Sequence, residues 1–319
     1  MFQPRDTKDE RLWSNIAIRM LVNTISHPLE YAKVLIQIGY EPIAPKNTRT
    51  LFGKPALALP NIFQYVRYIK SVDGFTGCYR GLVPKLCAYT VSTVTNEKIS
   101  ESFLFTDVFP DMRRNKDEDV DDLPDEQRIA VYKREFIKDV ICKIVSIIVS
   151  HPLDVITLRT MAQFIGGETK YNGVIHSLVE IYRENGLMGY YSGLAPRLIA
   201  NIATLALVSS STYAINKYIV HDRESRGYTS AVMTFLATTV TYPFLVVYHC
   251  MAVNNCGLAA GCSPQMPLYS SWIDCWQHLS LNNQLKRGSS LLWRYYTGPQ
   301  VVINGRVVKL DKANFYSHN

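Results

Sequence analysis

Two short stretches of sequence decide the fold. They read Ser26-His27-Pro28-Leu29-Glu30 and Ser150-His151-Pro152-Leu153-Asp154, so both follow the pattern Ser-His-Pro-Leu-acid. A third copy, Thr241-Tyr242-Pro243-Phe244-Leu245, keeps the proline and loses the acid. A motif that recurs at wide spacing indicates internal repeats.

Each repeat has a later half with its own pattern. The first repeat continues with Asp73-Gly74 and Tyr79-Arg80-Gly81-Leu82-Val83-Pro84-Lys85-Leu86, and the second with Glu184-Asn185-Gly186 and Tyr191-Ser192-Gly193-Leu194-Ala195-Pro196-Arg197-Leu198. The third ends with Tyr295-Tyr296-Thr297-Gly298-Pro299. Between the halves, the segments beginning at Tyr171 and Tyr269 predict short amphipathic helices on a membrane surface.

The composition indicates a membrane protein. The chain has 319 residues, of which 47% are hydrophobic and 19% charged, with a net charge of +7. Residues 227–273 contain no Asp, Glu, Lys or Arg. A membrane helix needs about 20 mostly apolar residues. Five stretches fit: Ser14–Tyr40, Pro84–Leu104, Glu135–Gln163, Pro196–Val220 and Thr229–Val253.

Prolines mark these five predicted spans in a regular way. Pro28, Pro152 and Pro243 fall inside the odd-numbered spans and are expected to kink them. Pro84 and Pro196 fall at the first turn of the even-numbered spans, where a helix tolerates proline. A sixth span is expected after Pro299, but only 20 polar-rich residues follow. The third repeat is therefore predicted to be truncated.

The predicted organisation has five segments. They are carrier-like repeat 1 (14–104), an acidic loop (105–134), repeat 2 (135–224), a truncated repeat 3 (225–298) and a polar tail (299–319). The acidic run from Asp107 to Glu126 is interpreted as a solvated loop, with the binding of a basic or amphipathic partner as the alternative.

Polar residues recur along one face of three predicted spans. In the first span they are Arg19, Asn23, Ser26, Glu30, Lys33 and Gln37; in the third, Asp139, Lys143, Ser146, Ser150, Asp154 and Thr157; and in the fourth, Arg197, Asn201, Thr204, Ser211 and Asn216. Steps of three or four residues place side chains on one helix face. Because charge facing lipid costs about 2.5–3.5 kcal/mol per group, these stripes are predicted to line a wet groove. Mutual pairing in a closed bundle is the alternative.

The proline motifs and the acid-Gly and aromatic-Arg-Gly segments together resemble the mitochondrial solute carrier family. The resemblance covers about residues 14–298. Four runs, Val34–Pro42, Met161–Gly166, Met251–Ala259 and Ser271–Trp276, resemble its divergent outer-membrane branch, the mitochondrial carrier homologues. The resemblance implies an all-α membrane protein: a pseudo-threefold helix bundle with five membrane helices, the sixth missing, and a laterally open polar groove.

The family's transport mechanism suits this sequence poorly. A solute carrier closes its cavity with ion pairs between the proline motifs of neighbouring repeats. At the equivalent positions of this sequence, Lys33 is expected to pair with Asp154. The second pair would need a base at Thr157 and an acid at Leu245, and the third would need a base at Tyr248 opposite Glu30. One pair of three survives, which argues against alternating access.

The resemblance instead implies a multi-pass insertase of the mitochondrial outer membrane for α-helical proteins. It also implies a receptor for the truncated BH3-interacting death agonist. A groove that hydrates a substrate's polar terminus, beside a gap open to lipid, suits insertion. The predicted groove-lining residues are Arg19, Asn23, Glu30, Lys33, Lys143, Asp154, Arg197 and Asn201. The alternatives are a solute transporter, a phospholipid scramblase, and an apoptotic receptor or scaffold.

Other classes of function lack their signatures. No P-loop, dinucleotide-binding, HExxH or nucleophile-elbow motif occurs, so neither an enzyme nor a cofactor site is predicted. No nucleic-acid-binding motif accompanies the positive charge. The seven cysteines contain no CxxC pair and predict free thiols, with Cys256–Cys262 as the alternative disulfide. His27 and His151 are interpreted as packed motif residues rather than metal ligands, and the N-terminus as no secretory signal or transit peptide.

Overall fold

The computed structural model describes residues 5–50, 53–101, 125–220, 223–298, 300–303 and 306–309. In chain order, its elements are α1 (Arg5–Ile38), β1 (Lys46–Arg49), β2 (Pro55–Leu59), α2 (Ile62–Gly77), α3 (Leu82–Glu101), α4 (Asp125–Ala162), α5 (Val174–Asn185), α6 (Leu194–Tyr218), α7 (Arg223–Val253), α8 (Trp272–Leu281), β3 (Arg294–Tyr295), β4 (Gln300–Ile303) and β5 (Arg306–Lys309). Two short 3₁₀ turns, Leu187–Tyr191 and Ala259–Gly261, complete the order.

The five predicted spans correspond to the five long helices α1, α3, α4, α6 and α7. Pro28, Pro152 and Pro243 lie inside α1, α4 and α7, as predicted. Pro84 and Pro196 lie in the first turns of α3 and α6. The repeat pattern of the sequence is therefore a repeat of helix pairs.

Hydropathy alone identifies fewer membrane helices. Three helical stretches of the described chain are long and apolar enough to cross a membrane: Ile129–Ala162, Leu187–Tyr218 and Gly227–Val253. Helices α1 and α3 fall outside that set. Helix α1 is not apolar enough for that set because it carries the polar stripe that includes Arg19, Glu30 and Lys33.

The short helices α2, α5 and α8 occupy the place of the predicted surface helices. Asn61 caps α2 by accepting a hydrogen bond from the backbone N–H of Gln64, at 2.9 Å, and the Gln64 side chain accepts one from the backbone N–H of Asn61. Ser271 caps α8 by accepting from the N–H of Asp274. These caps explain why each of these two helices begins where it does.

One predicted boundary differs from the structure, and the predicted tail contains strands that the sequence analysis did not predict. Helix α4 begins at Asp125, so residues 125–134 of the predicted loop are helical. Most of the acidic run lies outside the described residues. The predicted polar tail forms a hairpin of β4 and β5, paired antiparallel from Gln300↔Lys309 to Ile303↔Arg306. A separate sheet, in the order β1-β2-β3, joins repeat 1 to the end of repeat 3.

The apolar core lies at one end of the bundle, which we call the closed end. It is formed by the halves of α1, α4 and α7 that follow the prolines, together with α2, α5 and α8. Fully buried members include Tyr31, Leu35, Val155, Ile156, Val246 and Val247. Side chains of the preceding halves are far more exposed. The bundle is therefore sealed at one end and open at the other.

Candidate functional site: a polar groove above two ion pairs

Two ion pairs join the helices within a repeat. In repeat 2, Asp154 on α4 binds Arg197 on α6, with 2.6 Å between Oδ2 and Nη2. In repeat 1, Glu30 on α1 binds Lys85 on α3 through Oε2 and Nζ. Lys85 and Arg197 each follow the first-turn proline of their helix. The acid of each proline motif therefore neutralises a base of its own repeat.

The motif histidines tie the same helices together. His27 Nε2 donates to the carbonyl of Arg80 at 3.0 Å, and His151 Nε2 donates to the carbonyl of Ser192 at 3.1 Å. Both rings are fully buried. His151 Nδ1 also accepts a hydrogen bond from Arg197 Nη1, at 2.9 Å. These contacts fit the interpretation of the histidines as packed motif residues.

The third repeat uses different chemistry at this position. Tyr242 replaces the histidine, and its hydroxyl donates to the carbonyl of Arg287 at 2.7 Å. The same hydroxyl accepts from Gln37 Nε2 at 2.8 Å, and His249 Nδ1 donates to Gln37 Oε1 at 2.8 Å. Arg287 Nη2 donates to the carbonyl of Gln37 at 2.7 Å. The chain after α8 is thus fastened to α1 and α7 at the closed end.

A cavity of about 710 Å³, which we call the groove cavity, lies towards the open end from these pairs. Its lining comes from α3, α4, α6 and α7: Tyr89, Ser92, Thr93, Asn96, Asp139, Lys143, Ser146, Ala200, Asn201, Thr204, Leu205, Val208, Thr234, Thr238, Thr241, Tyr242 and Leu245. Most of these side chains carry a hydroxyl, amide or charged group. The cavity is large enough for many waters, so it can hydrate a polar chain segment.

The hydroxyls of the wall are held in place. Thr234, Thr238 and Thr241 each donate to a carbonyl of α7 itself, three or four residues earlier. The hydroxyls of Thr204 and Thr241 lie 2.7 Å apart, which links α6 to α7. Their second lone pairs leave the wall able to accept hydrogen bonds from a guest.

The structure distributes the eight predicted groove residues over three places. Lys143 and Asn201 line the groove cavity. Glu30, Asp154 and Arg197 form the ion pairs, with Arg197 one turn from Asn201 towards the closed end. Arg19, Asn23 and Lys33 lie on α1, which contributes no side chain to the lining. The ammonium of Lys33 lies 5.4 Å from the ring centre of Tyr242.

The expected contact between Lys33 and Asp154 is wrong. Asp154 pairs with Arg197, and Lys33 forms no ion pair with a described residue. The reason is geometric, because the base after Pro196 lies on the helix directly packed against Asp154. No ion pair joins two proline motifs within the described chain.

Sequence reasoning missed Lys85 and the wall contributed by α3 and α7. The signal for Lys85 was present, since Pro84-Lys85 and Pro196-Arg197 occupy equivalent positions and Arg197 is among the predicted residues. The polar residues of α7 are threonines, which a search for charged stripes does not detect. In α3, Ser92 and Asn96 lie four residues apart, and two uncharged residues at that spacing give only a weak signal.

A second missed residue, Arg159, lies at the closed end. Its side chain is fully buried, and its Nε donates to the carbonyl of Ala252 at 3.1 Å. Its Nη1 donates to Asn185 Oδ1 at 3.0 Å and lies 3.8 Å from Glu184 Oε2. Tyr171 donates to the same carboxylate at 2.6 Å, and burial raises the pKa of Tyr171 to about 12. This network holds repeats 2 and 3 together.

The outer faces of α1 and α7 carry exposed apolar side chains. The most extensive helix packing joins α3 to α4 and α6 to α7, whereas α1 touches α3 and α7 over shorter stretches. Ile25 of α1 is 78% exposed and Phe235 of α7 is 70% exposed. No helix follows α8 among the described residues. Apolar side chains on both flanks therefore face the surroundings.

The described residues of this site include no disulfide and no cluster of metal-ligating side chains. All seven cysteines are free thiols, including Cys256 and Cys262. Within the described ranges, no group of three or more His, Cys, Asp or Glu side chains could hold a metal ion.

The fold and groove define a class: an α-helical membrane protein built from repeated helix pairs around a polar cavity. The chain belongs to the mitochondrial carrier protein family, whose model matches residues 10–104 and 134–223. Both matches cover complete repeats, and the truncated third repeat lies outside them.

Individual relatives agree with this assignment. The chain is 39% identical to mitochondrial carrier homolog 2 of Homo sapiens over 88% of its length and 93% of that protein. It is 38% identical to mitochondrial carrier homolog 1 of Mus musculus, over 88% of the chain and 75% of that protein. The resemblance to the mitochondrial carrier homologues is therefore confirmed, and the chain is a mitochondrial membrane protein.

Proposed function

We propose that this protein is an insertase that helps α-helical proteins enter the mitochondrial outer membrane. The groove cavity, which lies beside an uncovered flank of the bundle, carries the proposal. A segment entering a bilayer must move its polar terminus across hydrocarbon, where unsatisfied polar groups cost several kcal/mol each. The hydroxyl, amide and charged groups of the cavity would hydrate that terminus while the apolar segment slides past α1 and α7.

The two internal ion pairs support insertion over transport. Glu30 and Asp154 are engaged within their own repeats, so they do not bridge neighbouring repeats. The closed end is filled by a packed apolar core and by the contacts of Arg159 and Arg287. Opening that end, as alternating access demands, would break all of them.

The proposed mechanism contains no covalent step and no cofactor. Its partners are α-helical membrane proteins, anchored by one helix or several, and the phospholipids that receive them. The protein lowers the barrier to insertion, and the hydrophobicity of the substrate supplies the driving force. The binding of BH3-only apoptotic proteins stays a prediction from the resemblance.

Reconstitution into liposomes tests the proposal. A substrate with one C-terminal membrane helix is added, and its insertion is followed by protection of the crossing tail from protease. We expect faster insertion than into protein-free liposomes. An equal rate would refute the insertase function. Scrambling of fluorescent lipids in the same vesicles without substrate separates lipid transfer from protein insertion.

A matched pair of variants tests whether insertion depends on the groove cavity. Thr238 and its neighbour Thr239 are both exposed, but only Thr238 lines the groove cavity. Thr238→Ile is expected to slow insertion several-fold because it removes a hydroxyl from the polar wall. Thr239→Ile, the same chemical change one residue away, is expected to keep the original rate. Equal effects of both variants would place the activity elsewhere.

The choice of the outer membrane is tested separately. Protease added to intact mitochondria reaches segments of an outer-membrane protein that face the cytosol. Cleavage without rupture of the outer membrane is expected, and protection until rupture would assign the protein to the inner membrane.

A further inference from the structure

The charges around the groove cavity are not balanced. Lys143 lines the cavity, is exposed and forms no ion pair with a described residue. Its ammonium also lies within electrostatic range of Arg197. Lys33, beside the cavity over the ring of Tyr242, likewise has no carboxylate partner in the described chain.

The acids near the cavity do not compensate for these cations. Glu30 and Asp154 are used to neutralise Lys85 and Arg197. Asp139 is the one carboxylate among the described lining residues, and it lies one helical turn from Lys143 towards the open end. Among the described lining residues, the inner region therefore carries the unpaired positive charge of Lys143 and the outer region carries the negative charge of Asp139.

We propose that the groove selects substrates by the sign of the charge on the terminus that crosses the membrane. Termini that are acidic or neutral, including a bare C-terminal carboxylate, pass the inner region of the cavity readily. Basic termini are slowed there by repulsion from Lys143 and Lys33. This inference rests on the proposed insertase function and defines its substrate class.

The size of the effect follows from electrostatics. Two unit charges at about 4 Å interact by about 1 kcal/mol in water, which corresponds to a factor of about five in rate. A partly desolvated groove strengthens the interaction. Salt weakens it, because the Debye length falls to about 3 Å at about 1 M.

The test uses three substrates that share one membrane helix and differ only in a crossing tail rich in Asp, Asn or Lys. Insertion into liposomes of uncharged phosphatidylcholine is measured, and the protein-free rate is subtracted. With the unaltered protein, the acidic tail is expected to cross about fivefold faster than the basic tail, and high salt is expected to reduce that ratio.

Two variants on α4 change the cavity charge in opposite directions. Lys143→Gln is expected to lower the acidic-to-basic ratio, and Asp139→Asn is expected to raise it. Both side chains are exposed, so neither substitution disturbs the core. Lys70→Gln, on α2 at the closed end, makes the same charge change as Lys143→Gln outside the cavity and is expected to leave the ratio unchanged.

The outcomes separate the two proposals. Insertion faster than in protein-free liposomes, but with equal rates for all three tails, would overturn charge selection and leave the insertase function standing. A ratio that responds equally to Lys143→Gln and Lys70→Gln would also overturn selection by the cavity. No acceleration for any tail would refute both proposals.

Discussion

The carboxylate of Asp154 and the guanidinium of Arg197 lie 2.6 Å apart within one repeat. His151 accepts a second hydrogen bond from the same guanidinium, so Arg197 joins the proline motif of α4 to the first turn of α6. Repeat 1 has the matching pair of Glu30 and Lys85. The charges of the proline motif therefore brace the helix pair, and this arrangement yields the first prediction.

Asp154→Asn is expected to destabilise the protein by about 3 kcal/mol, because breaking a largely buried pair leaves Arg197 without its counter-charge. Thermal unfolding in detergent measures the change. Asp139→Asn is the matched control, because Asp139 is exposed and forms no ion pair with a described residue. Equal melting temperatures for Asp154→Asn and the unaltered protein would show that the pair contributes nothing.

Arg159→Met is expected to cost about 3 kcal/mol or more, since it removes donors to Ala252 and Asn185 and leaves Glu184 with one partner fewer. The control is Arg183→Met on α5, whose side chain is 71% exposed and pairs only within its own helix. That surface pair is expected to contribute less than about 1 kcal/mol. Equal melting temperatures for Arg159→Met and Arg183→Met would contradict this prediction.

Gly193→Ala and Gly173→Ala separate backbone strain from steric collision. Both glycines have left-handed φ values, +77° and +82°. A Cβ at Gly193 would lie 2.9 Å from the carbonyl oxygen of Tyr248, whereas one at Gly173 would meet no atom within 4 Å. Gly173 has ψ 160°, a conformation essentially restricted to glycine, so strain alone is expected to cost Gly173→Ala about 1–3 kcal/mol. Gly193 has ψ 10°, where strain costs about 1–2 kcal/mol, and Gly193→Ala is expected to lose more than that because α6 must also move away from α7. Chemical denaturation measures both variants, and a loss of about 1 kcal/mol or less for Gly193→Ala would contradict the contact.

Labelling compares two neighbouring positions of α7, one in the groove cavity and one on the apolar flank. Thr238 lines the groove cavity, and Phe235 is 70% exposed on the apolar flank. With Cys87 and Cys262 replaced by serine to remove accessible thiols, Thr238→Cys is expected to react several-fold faster with a water-soluble maleimide in liposomes than Phe235→Cys. Lipid covering Phe235 is the physical reason. Similar rates would mean that the cavity is not wet or that the flank does not face lipid.

Several features were predictable because they depend on local sequence. Helix α6 begins at Leu194 beside the predicted Pro196, and α7 ends at Val253 as predicted. The period of polar residues placed Lys143 and Asn201 on faces that line one cavity. The helix period and the stereochemistry of proline depend on only a few neighbouring residues. Helix boundaries and helix faces can therefore be predicted from the sequence alone.

Other features depend on contacts between distant segments. The start of α4 at Asp125 was hidden by an acidic composition that also suits a solvated loop. The hairpin of β4 and β5 was hidden in a tail too short for a membrane helix. Helix α1 carries the richest charged stripe, yet it adds no side chain to the groove cavity.

The sequence by itself determined three repeats, five long helices and the place of a proline at the start or in the interior of each one, because spacing along a helix is a local property. Only the tertiary structure decided that Asp154 binds Arg197 rather than Lys33. A salt bridge needs atoms within about 4 Å, and helix crossings set that distance. Those crossings also decided that α3 and α7 form walls of the groove cavity, while α1 adds no side chain to its lining.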